Sequence, residues 1–197
     1  MNNRNAILLL ALLAASCTAK NENSFLVITK VIPPLATTTG TPPATTTSCT
    51  FDPASTEFSF LPFNPAENQG LVAAVVANNL ASNAALNTVL RIDTNTFLPH
   101  QVVVSYEVIG AGTAPAPNVV PAGGLEIATA GTGTVGFPIF NGRSLAGIGN
   151  NTFLRATFHI EGKLLDGSTV HTSEREYLFK ICTTPGCGTA GPWGTCL

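Results

Sequence analysis

Four of the five cysteines are the first candidates for chemistry, because thiols can bind a metal ion or form disulfides. They are Cys49, Cys182, Cys187 and Cys196. Zinc sites use close pairs such as C-x2-C, whereas four residues separate Cys182 from Cys187 and eight separate Cys187 from Cys196. An even number of cysteines in an exported chain favours disulfides. Of three possible connectivities we favour Cys49 with Cys182 and Cys187 with Cys196, and we predict no metal site.

Three histidines are the candidates for base or metal chemistry: His100, His159 and His171. The carboxylates are scattered, apart from Glu174 and Glu176, which have nothing to distinguish them from a solvated strand face. A glycosidase needs two carboxyl groups that flank one bond. Ser144 lies among glycines but lacks the strand-to-helix turn of a nucleophile elbow. The sequence therefore predicts a protein that is not an enzyme and has no cofactor.

The fifth cysteine, Cys17, follows a short apolar segment at the start of the chain. Arg4 lies in a polar beginning, and the apolar stretch 6–15 suits the hydrophobic region of an export signal. That stretch is too short to cross a bilayer, which takes about 20 apolar residues. Ala14 and Ser16 would also satisfy an ordinary signal peptidase, so release of a soluble secreted protein is the alternative, and a retained membrane anchor is a weaker one.

The run Leu13-Ala14-Ala15-Ser16-Cys17 resembles the lipobox of bacterial lipoproteins, although Ala14 stands where that family usually has leucine. The resemblance covers residues 1–17 only. It implies that residues 1–16 are a cleaved type II signal peptide and that acyl chains such as palmitate anchor Cys17 in the membrane. Thr18 in place of aspartate implies sorting to an outer membrane. Two or three acyl chains make a stable anchor, whereas one alone is marginal.

The charge of the chain excludes one class of partner. Loss of Arg4 with the signal peptide leaves eight of the 9 basic residues against 11 acidic ones, a formal charge of −3. Nucleic-acid binding requires a basic surface, so no nucleic acid is expected as a partner. Only 10% of the residues are charged, compared with about 25% in ordinary soluble domains. One interpretation of so few charges is a surface that a partner or the membrane covers.

The chain divides into two parts after the signal peptide. Residues 17–48 contain the lipidated N-terminus, a strand-like segment at 25–31 and a linker rich in threonine and proline at 32–48. The apolar and β-branched composition of 25–31 predicts that this segment docks on the domain. Residues 49–197 have a length that suits one domain.

The domain is predicted to be all-β. Strand-like segments alternate with glycine, proline and asparagine, and only 80–90 offers a weak helical pattern. The predicted strands cover 57–61, 70–78, 98–109, 125–129, 134–140, 152–162 and 169–181. This pattern favours an antiparallel β-sandwich, immunoglobulin-like or fibronectin-like and disulfide-stapled, rather than a closed barrel.

The last two strands form the clearest hairpin, because Asp166-Gly167 is a preferred sequence for a two-residue type I′ turn. This turn makes the numbers of paired residues sum to 333, so Leu154 faces Phe179 on the apolar face. The same register places Arg175 opposite Phe158, which a bulge or an exposed hairpin tip would resolve. It also pairs His159 with Glu174 and places His159 and His171 on opposite faces, where they cannot share a metal.

Contact residues are the last expectation. Trp193 stands in a glycine-rich loop between two cysteines and is a candidate for contact with a glycan or a protein, or else it caps the sandwich. Phe137, Phe140 and Arg143 form a second candidate contact patch. The first functional hypothesis is a non-enzymatic structural or assembly partner in the bacterial envelope. A glycan-binding or adhesion module is the second, and a secreted or envelope hydrolase is the third.

Overall fold

A computed structural model describes residues 25–39, 46–65, 70–82, 93–140, 145 and 147–182. Over these ranges the chain is all-β, as predicted, and contains no helix. In the same ranges no helix is long and apolar enough to cross a membrane. The candidate helical segment 80–90 lies mostly outside the described residues. So do residues 1–24 and the tail from 183 onward.

Twelve strands follow one another along the described chain. They are β1 (Leu26–Ile32), β2 (Leu35–Thr39), β3 (Thr46–Thr50), β4 (Leu61–Phe63), β5 (Leu71–Asn78), β6 (Phe97–Ile109), β7 (Asn118–Pro121), β8 (Gly123–Gly124), β9 (Gly131–Pro138), β10 (Thr152–Leu164), β11 (Thr169–His171) and β12 (Arg175–Ile181). Most predicted strands recur here. The predicted strand 125–129 does not, because Ile127 makes only an isolated bridge with Phe97, and the predicted strand 57–61 shares only Leu61 with β4.

The strands form two main sheets and one small ladder. The first sheet has the order β1-β5-β9-β8, and the second has the order β4-β12-β10-β6-β7 with β11 also paired to β10. All pairs are antiparallel except β4 with β12, which is parallel. The third ladder pairs β2 with β3.

The core lies between the two main sheets, as in a β-sandwich. Alternate residues of the long strands are buried; in β10, for example, Leu154, Ala156, Phe158 and Ile160 are each at most 1% exposed. This period of two is what a strand with one covered face requires. Aromatic rings meet across the sheets: the ring centroids of Phe137 on β9 and Phe158 on β10 are 5.2 Å apart.

The predicted register of the last hairpin is confirmed from Thr152 opposite Ile181 to Phe158 opposite Arg175. The predicted two-residue turn is wrong. Leu164 N donates to Ser168 O, and Gly167 N donates to Leu164 O, so the loop has three residues, 165–167. Gly167 adopts a φ of 89°, whereas Asp166 is not in the positive-φ region. This is the arrangement of a type I turn followed by a G1 bulge.

The longer turn shifts the register near the hairpin tip by one residue. There Glu161 lies opposite His171, whereas Phe158 lies opposite Arg175, so β11 and β12 are separated by one extra residue in 172–174. The extra residue lets this segment bond to β1: Ser173 N donates to Leu26 O at 2.8 Å, and Ser173 Oγ accepts from Ile28 N at 3.4 Å. The predicted pairing of His159 with Glu174 is therefore wrong.

The described residues before position 49 form strands. The docking strand predicted at 25–31 is β1, which pairs with β5 from Leu26 opposite Asn78 to Ile32 opposite Ala73. The range 32–48, predicted to be an extended linker, instead supplies most of the β2–β3 ladder. Threonine is a β-branched residue that fits a pleated strand, which explains why this stretch forms a ladder.

The outer face of the first sheet is partly covered by the chain that follows β3. The Phe51 ring packs on Ile32, Ala73 and Val75, and Lys30 Nζ donates to Ser55 O at 2.8 Å. On the outer face of the second sheet the described chain makes a smaller contact, between the rings of Phe60 and Phe153. A binding site is therefore more easily placed on the second sheet.

Candidate functional site

An open groove of about 480 Å³ lies beside β12, and its lining takes residues from both faces of the second sheet. We call it the β12 groove. Its lining residues come from the chain before β4 and from β6, β10 and β12: Glu57, Phe58, Ser59, Ile109, Arg155, Arg175, Glu176, Tyr177 and Leu178. The ladder between β4 and β12 begins only at Leu61 and Phe179, so residues 57–59 run beside β12 without joining the sheet. The groove lies where residues 57–59 are separated from β12.

Two arginines and two glutamates carry the charges of the groove, and they form ion pairs. Arg155 Nη1 lies 3.3 Å from Glu107 Oε2, and Arg155 Nε lies 3.8 Å from Glu176 Oε2. Both carboxylates are about two-thirds exposed, so these pairs contribute little to stability. Their effect is to hold the Arg155 guanidinium between two acceptors.

The second arginine, Arg175, forms a shorter and less exposed ion pair. Its Nη2 lies 2.6 Å from Glu57 Oε2, while Glu57 Oε1 accepts from Val31 N at 2.9 Å. Glu57 therefore ties the groove to β1 as well as to β12. The Nε atom of Arg175 is buried and has no hydrogen-bond partner. An unsatisfied buried donor lowers the stability of the folded state. The position of Arg175 is therefore set by its ion pair with Glu57 and by packing, at the expense of the hydrogen bond of Nε.

Exposed apolar side chains border the groove. Phe58 is 53% exposed, Phe60 is 40% exposed and Ile109 is 42% exposed. Phe153, which lies opposite Ile109 in the β10–β6 ladder, makes an edge contact with Phe60 at a centroid distance of 5.5 Å. We call these four residues the apolar rim. Large apolar side chains gathered around a polar groove are typical of a surface that another molecule covers.

Tyr177 fixes the floor of the groove. Its hydroxyl donates to Phe58 O at 2.7 Å. Burial raises the pKa of Tyr177 well above its usual value, the negative charge of Glu57 raises it further, and Arg175 opposes the shift. The phenol therefore stays neutral in the folded protein at pH values where an exposed tyrosine ionises.

Tyr177→Phe is expected to flatten the loss of stability at alkaline pH. The folded-state pKa is raised, so the contribution of Tyr177 is fully present below the unfolded pKa of about 10 and is lost as pH rises above it. At pH 7 the variant should lose about 1 kcal/mol because the bond to Phe58 O is gone. Urea unfolding followed by circular dichroism from pH 7 to 11 measures both effects. An alkaline limb equally steep in both proteins would contradict the raised pKa.

The predicted contact patch is wrong for two of its three residues. Phe137 and Phe140 are each 1% exposed and belong to the core between the sheets. The sequence places them in a glycine-rich region, but β9 carries Phe137 inward, and Ile139 N bonds to Gly70 O, which keeps the following residues against the core. Arg143 lies outside the described residues, as do Ser144 and Trp193.

The cysteines are only partly described. Cys49 and Cys182 are both disulfide-bonded, and the pairing between the four cysteines stays a prediction. Cys17, Cys187 and Cys196 lie outside the described residues. Glu174 and Glu176 are exposed, and the Glu176 carboxylate is directed to Arg155 rather than to a second catalytic carboxylate.

Sequence reasoning missed the residues that form the groove. Phe58 and Phe60 lie in a segment that was predicted to be a strand, and Pro62, which has no N–H, was the one signal that this segment belongs at a sheet edge. Arg155 and Ile109 lie on outward-facing positions of β10 and β6 that carry no sequence signature.

Comparisons with known proteins add no relative to this picture. No family model matches the chain, no curated protein matches it, and no solved structure matches it. The class of protein is therefore defined by the structure itself, as an all-β protein of two facing sheets with an open groove on one of them.

Proposed function

We propose that this protein is an envelope lipoprotein, anchored by acyl chains on Cys17, and that its sandwich binds another envelope protein through the β12 groove. Its role is structural or in assembly, and it performs no catalysis. The lipobox-like sequence supports the anchor. Because β1 begins at Leu26, the chain from Cys17 to the folded unit can span at most about 30 Å. The groove would then work close to the membrane surface, in the outer membrane according to the residue after Cys17.

The observation that carries the proposal of a protein partner is the apolar rim. Phe58, Phe60 and Ile109 are all at least 40% exposed around one groove. Interface centres are enriched in aromatic residues and arginine and depleted in lysine, and Arg155 and Arg175 supply the arginines here. The surface is thus built from the residue types that most often dominate binding energy.

Two finer features complete the proposal. The two facing sheets support an immunoglobulin-like or fibronectin-like sandwich, although the parallel pairing of β4 with β12 is an addition to a purely antiparallel pattern. We propose that Cys49 bonds to Cys182 and Cys187 to Cys196, as the sequence favours. The first bridge would join β3 to the end of β12 and so fasten the small ladder to the second sheet.

Crosslinking in intact cells, extraction in mild detergent and mass spectrometry test the proposal. We expect one stoichiometric envelope protein to copurify and to be lost in Cys17→Ala. Phe58→Ala combined with Phe60→Ala should lower its recovery at least tenfold, because truncation of central aromatic anchors costs about 2 kcal/mol or more.

The matched control is Leu125→Ala, which removes an 85% exposed side chain that does not line the groove. Recovery of the partner should stay within twofold in this variant. Equal recovery from the Phe58 and Phe60 double variant and from the Leu125 variant would overturn the assignment of the groove. If the partner were lost only in Cys17→Ala, the proposal of a lipid anchor would stand, and the partner would have to bind a surface other than the groove.

A glycan-binding or adhesion role is the second candidate. Half-exposed aromatic rings beside hydrogen-bonding groups, such as Phe58 beside Ser59 and Glu176, can stack on sugar rings. The isolated protein should then bind surface polysaccharide without a protein partner, and Trp193→Ala or Phe58→Ala should weaken that binding. A hydrolase remains the third candidate, and a broad screen for hydrolysis of sugars and esters tests it. No nucleic acid is proposed as a partner.

A further inference from the structure

Two imidazoles lie side by side on β10 and β11 of the second sheet, outside the lining of the β12 groove. The ring centroids of His159 on β10 and His171 on β11 are 5.4 Å apart, with the ring planes tilted by 59°. The sequence predicted that these residues lie on opposite faces. The one-residue register shift at 172–174 reverses this, because it places His171 opposite Glu161, and Glu161 shares a strand face with His159.

The surroundings of the two rings leave a nitrogen lone pair available on His171. Its Nδ1 lies 2.9 Å from Thr172 O, and a carbonyl oxygen only accepts, so the proton is on Nδ1 and the lone pair is on Nε2. Such a bond from one imidazole nitrogen to a backbone carbonyl is the contact that commonly orients metal-binding histidines. The His171 ring is therefore preset to bind through Nε2.

A fixed carboxylate lies beside the pair. Glu161 Oε1 is 3.4 Å from His159 Nε2, and Glu161 Oε2 accepts a hydrogen bond from Gln101 Nε2 at 2.6 Å. The bond from Gln101 lowers the pKa of Glu161, burial opposes it, and His159 and His171 lower it further. A carboxylate fixed beside His159 attracts a cation to the two rings by its charge.

We propose that His159 and His171 form a two-imidazole binding site for a divalent transition-metal ion, with Cu²⁺ preferred. Imidazole suits copper, nickel and zinc, and Cu²⁺ forms the strongest complexes of the divalent series. Two imidazoles on one ion, with metal–nitrogen distances of about 2.0 Å, have centroids about 4.5 to 5 Å apart, so a small rotation of the side chains suffices.

The expected site is labile. Over the described residues, no group of three or more His, Cys, Asp or Glu is placed to hold a metal ion, so water completes the coordination and Glu161 balances the charge. The site is also accessible, because the His159 side chain is 24% exposed and that of Glu161 is 35% exposed. These features suit a metal that is captured and released at the protein surface rather than a structural metal.

The test uses the full lipidated chain in detergent, purified without a histidine tag, treated with chelator and titrated with CuCl₂ or ZnCl₂ at pH 7. We expect one Cu²⁺ per chain at micromolar concentrations and weaker binding of Zn²⁺. Electron paramagnetic resonance of the copper form should show nitrogen ligands. Cu²⁺ should also raise the unfolding temperature, because a ligand of the folded state stabilises it.

His159→Gln and His171→Gln should each weaken Cu²⁺ binding at least tenfold and abolish the rise in unfolding temperature. The matched control is His100→Gln, which removes the exposed third histidine and should leave binding unchanged. Unfolding without metal, measured on each variant, shows that loss of binding is not loss of fold. Unchanged affinity in either His159→Gln or His171→Gln, or no stoichiometric Cu²⁺ at all, overturns the proposal. The result does not depend on the β12 groove.

Discussion

Phe140→Ala is expected to lower the free energy of unfolding by about 3 to 5 kcal/mol, the range for loss of a buried phenylalanine. Phe140 is 1% exposed and lies at the centre of an aromatic cluster. Its ring centroid is 4.4 Å from that of Phe63 and 5.0 Å from that of Phe179. Alanine would leave a cavity between β4, β12 and the end of β9, and the rigid rings around it cannot collapse into that space. Urea unfolding followed by far-ultraviolet circular dichroism measures the loss.

The control is Phe58→Ala, which removes the same side chain from a position that is 53% exposed. It should cost about 1 kcal/mol or less, because half of that ring is already in water. The two variants therefore compare the same substitution at a core position and at a surface position. If Phe140→Ala and Phe58→Ala unfolded at the same urea concentration, Phe140 would not be a core residue, and the contact patch expected from the sequence would regain its basis.

The sequence is sufficient for the register of β10 and β12 because the information is local. Apolar residues alternate in both strands, so only one alignment brings Leu154 opposite Phe179 and keeps the charges on the outer face, with Arg175 opposite Phe158 as the exception. Asp166-Gly167 marks the turn between them. A turn sequence together with two alternating strands determines the register of a hairpin to within one residue. The exact register near the tip depends on the turn type.

The one-residue shift in register at 172–174 could not be predicted, since it depends on hydrogen bonds to the distant strand β1. Ser173 and Ile28, which bond to each other, are separated by 145 positions in the chain. The extra residue at 172–174 satisfies backbone groups at the edge of β1, an edge that would otherwise be open to pairing. The consequence reaches the chemistry, because the same shift brings His171 onto the face of His159.

The β12 groove was unpredictable for a related reason. Phe58 and Phe60 have the composition of core residues, and Phe137 and Phe140 have the setting of loop residues among glycines. Which pair is buried depends on which segment enters a sheet. Phe137 lies in β9 and Phe140 follows it, next to the bond from Ile139 N to Gly70 O, whereas residues 57–60 join no sheet. Hydropathy cannot distinguish them, because strand pairing between distant segments decides the outcome.

Gly162→Ala is the second substitution with a large expected effect, a loss of about 1 to 3 kcal/mol in the free energy of unfolding. A Cβ atom at this position would lie 2.2 Å from Leu98 O and 2.5 Å from the Phe97 ring. The register between β10 and β6 shifts here, between Glu161 opposite Gln101 and Gly162 opposite Pro99, so the backbone of β6 passes unusually close. A backbone carbonyl cannot rotate away as a flexible side chain can, so the two longest strands must separate locally.

Gly147→Ala is the matched control for Gly162→Ala, because a Cβ atom there meets nothing within 4 Å. It should change the free energy of unfolding by less than about 1 kcal/mol, and reduced freedom of the unfolded chain could even make it stabilising. In Gly162→Ala, displacement of Gln101 should also return the pKa of Glu161 towards its ordinary value, which nuclear magnetic resonance titration of the carboxyl group measures. A Gly162→Ala protein as stable as Gly147→Ala, with the Glu161 pKa unmoved, would show that β6 does not approach β10 as closely as described. Both effects together would show that one glycine sets the strand contact and, through Gln101, the carboxylate beside the two imidazoles.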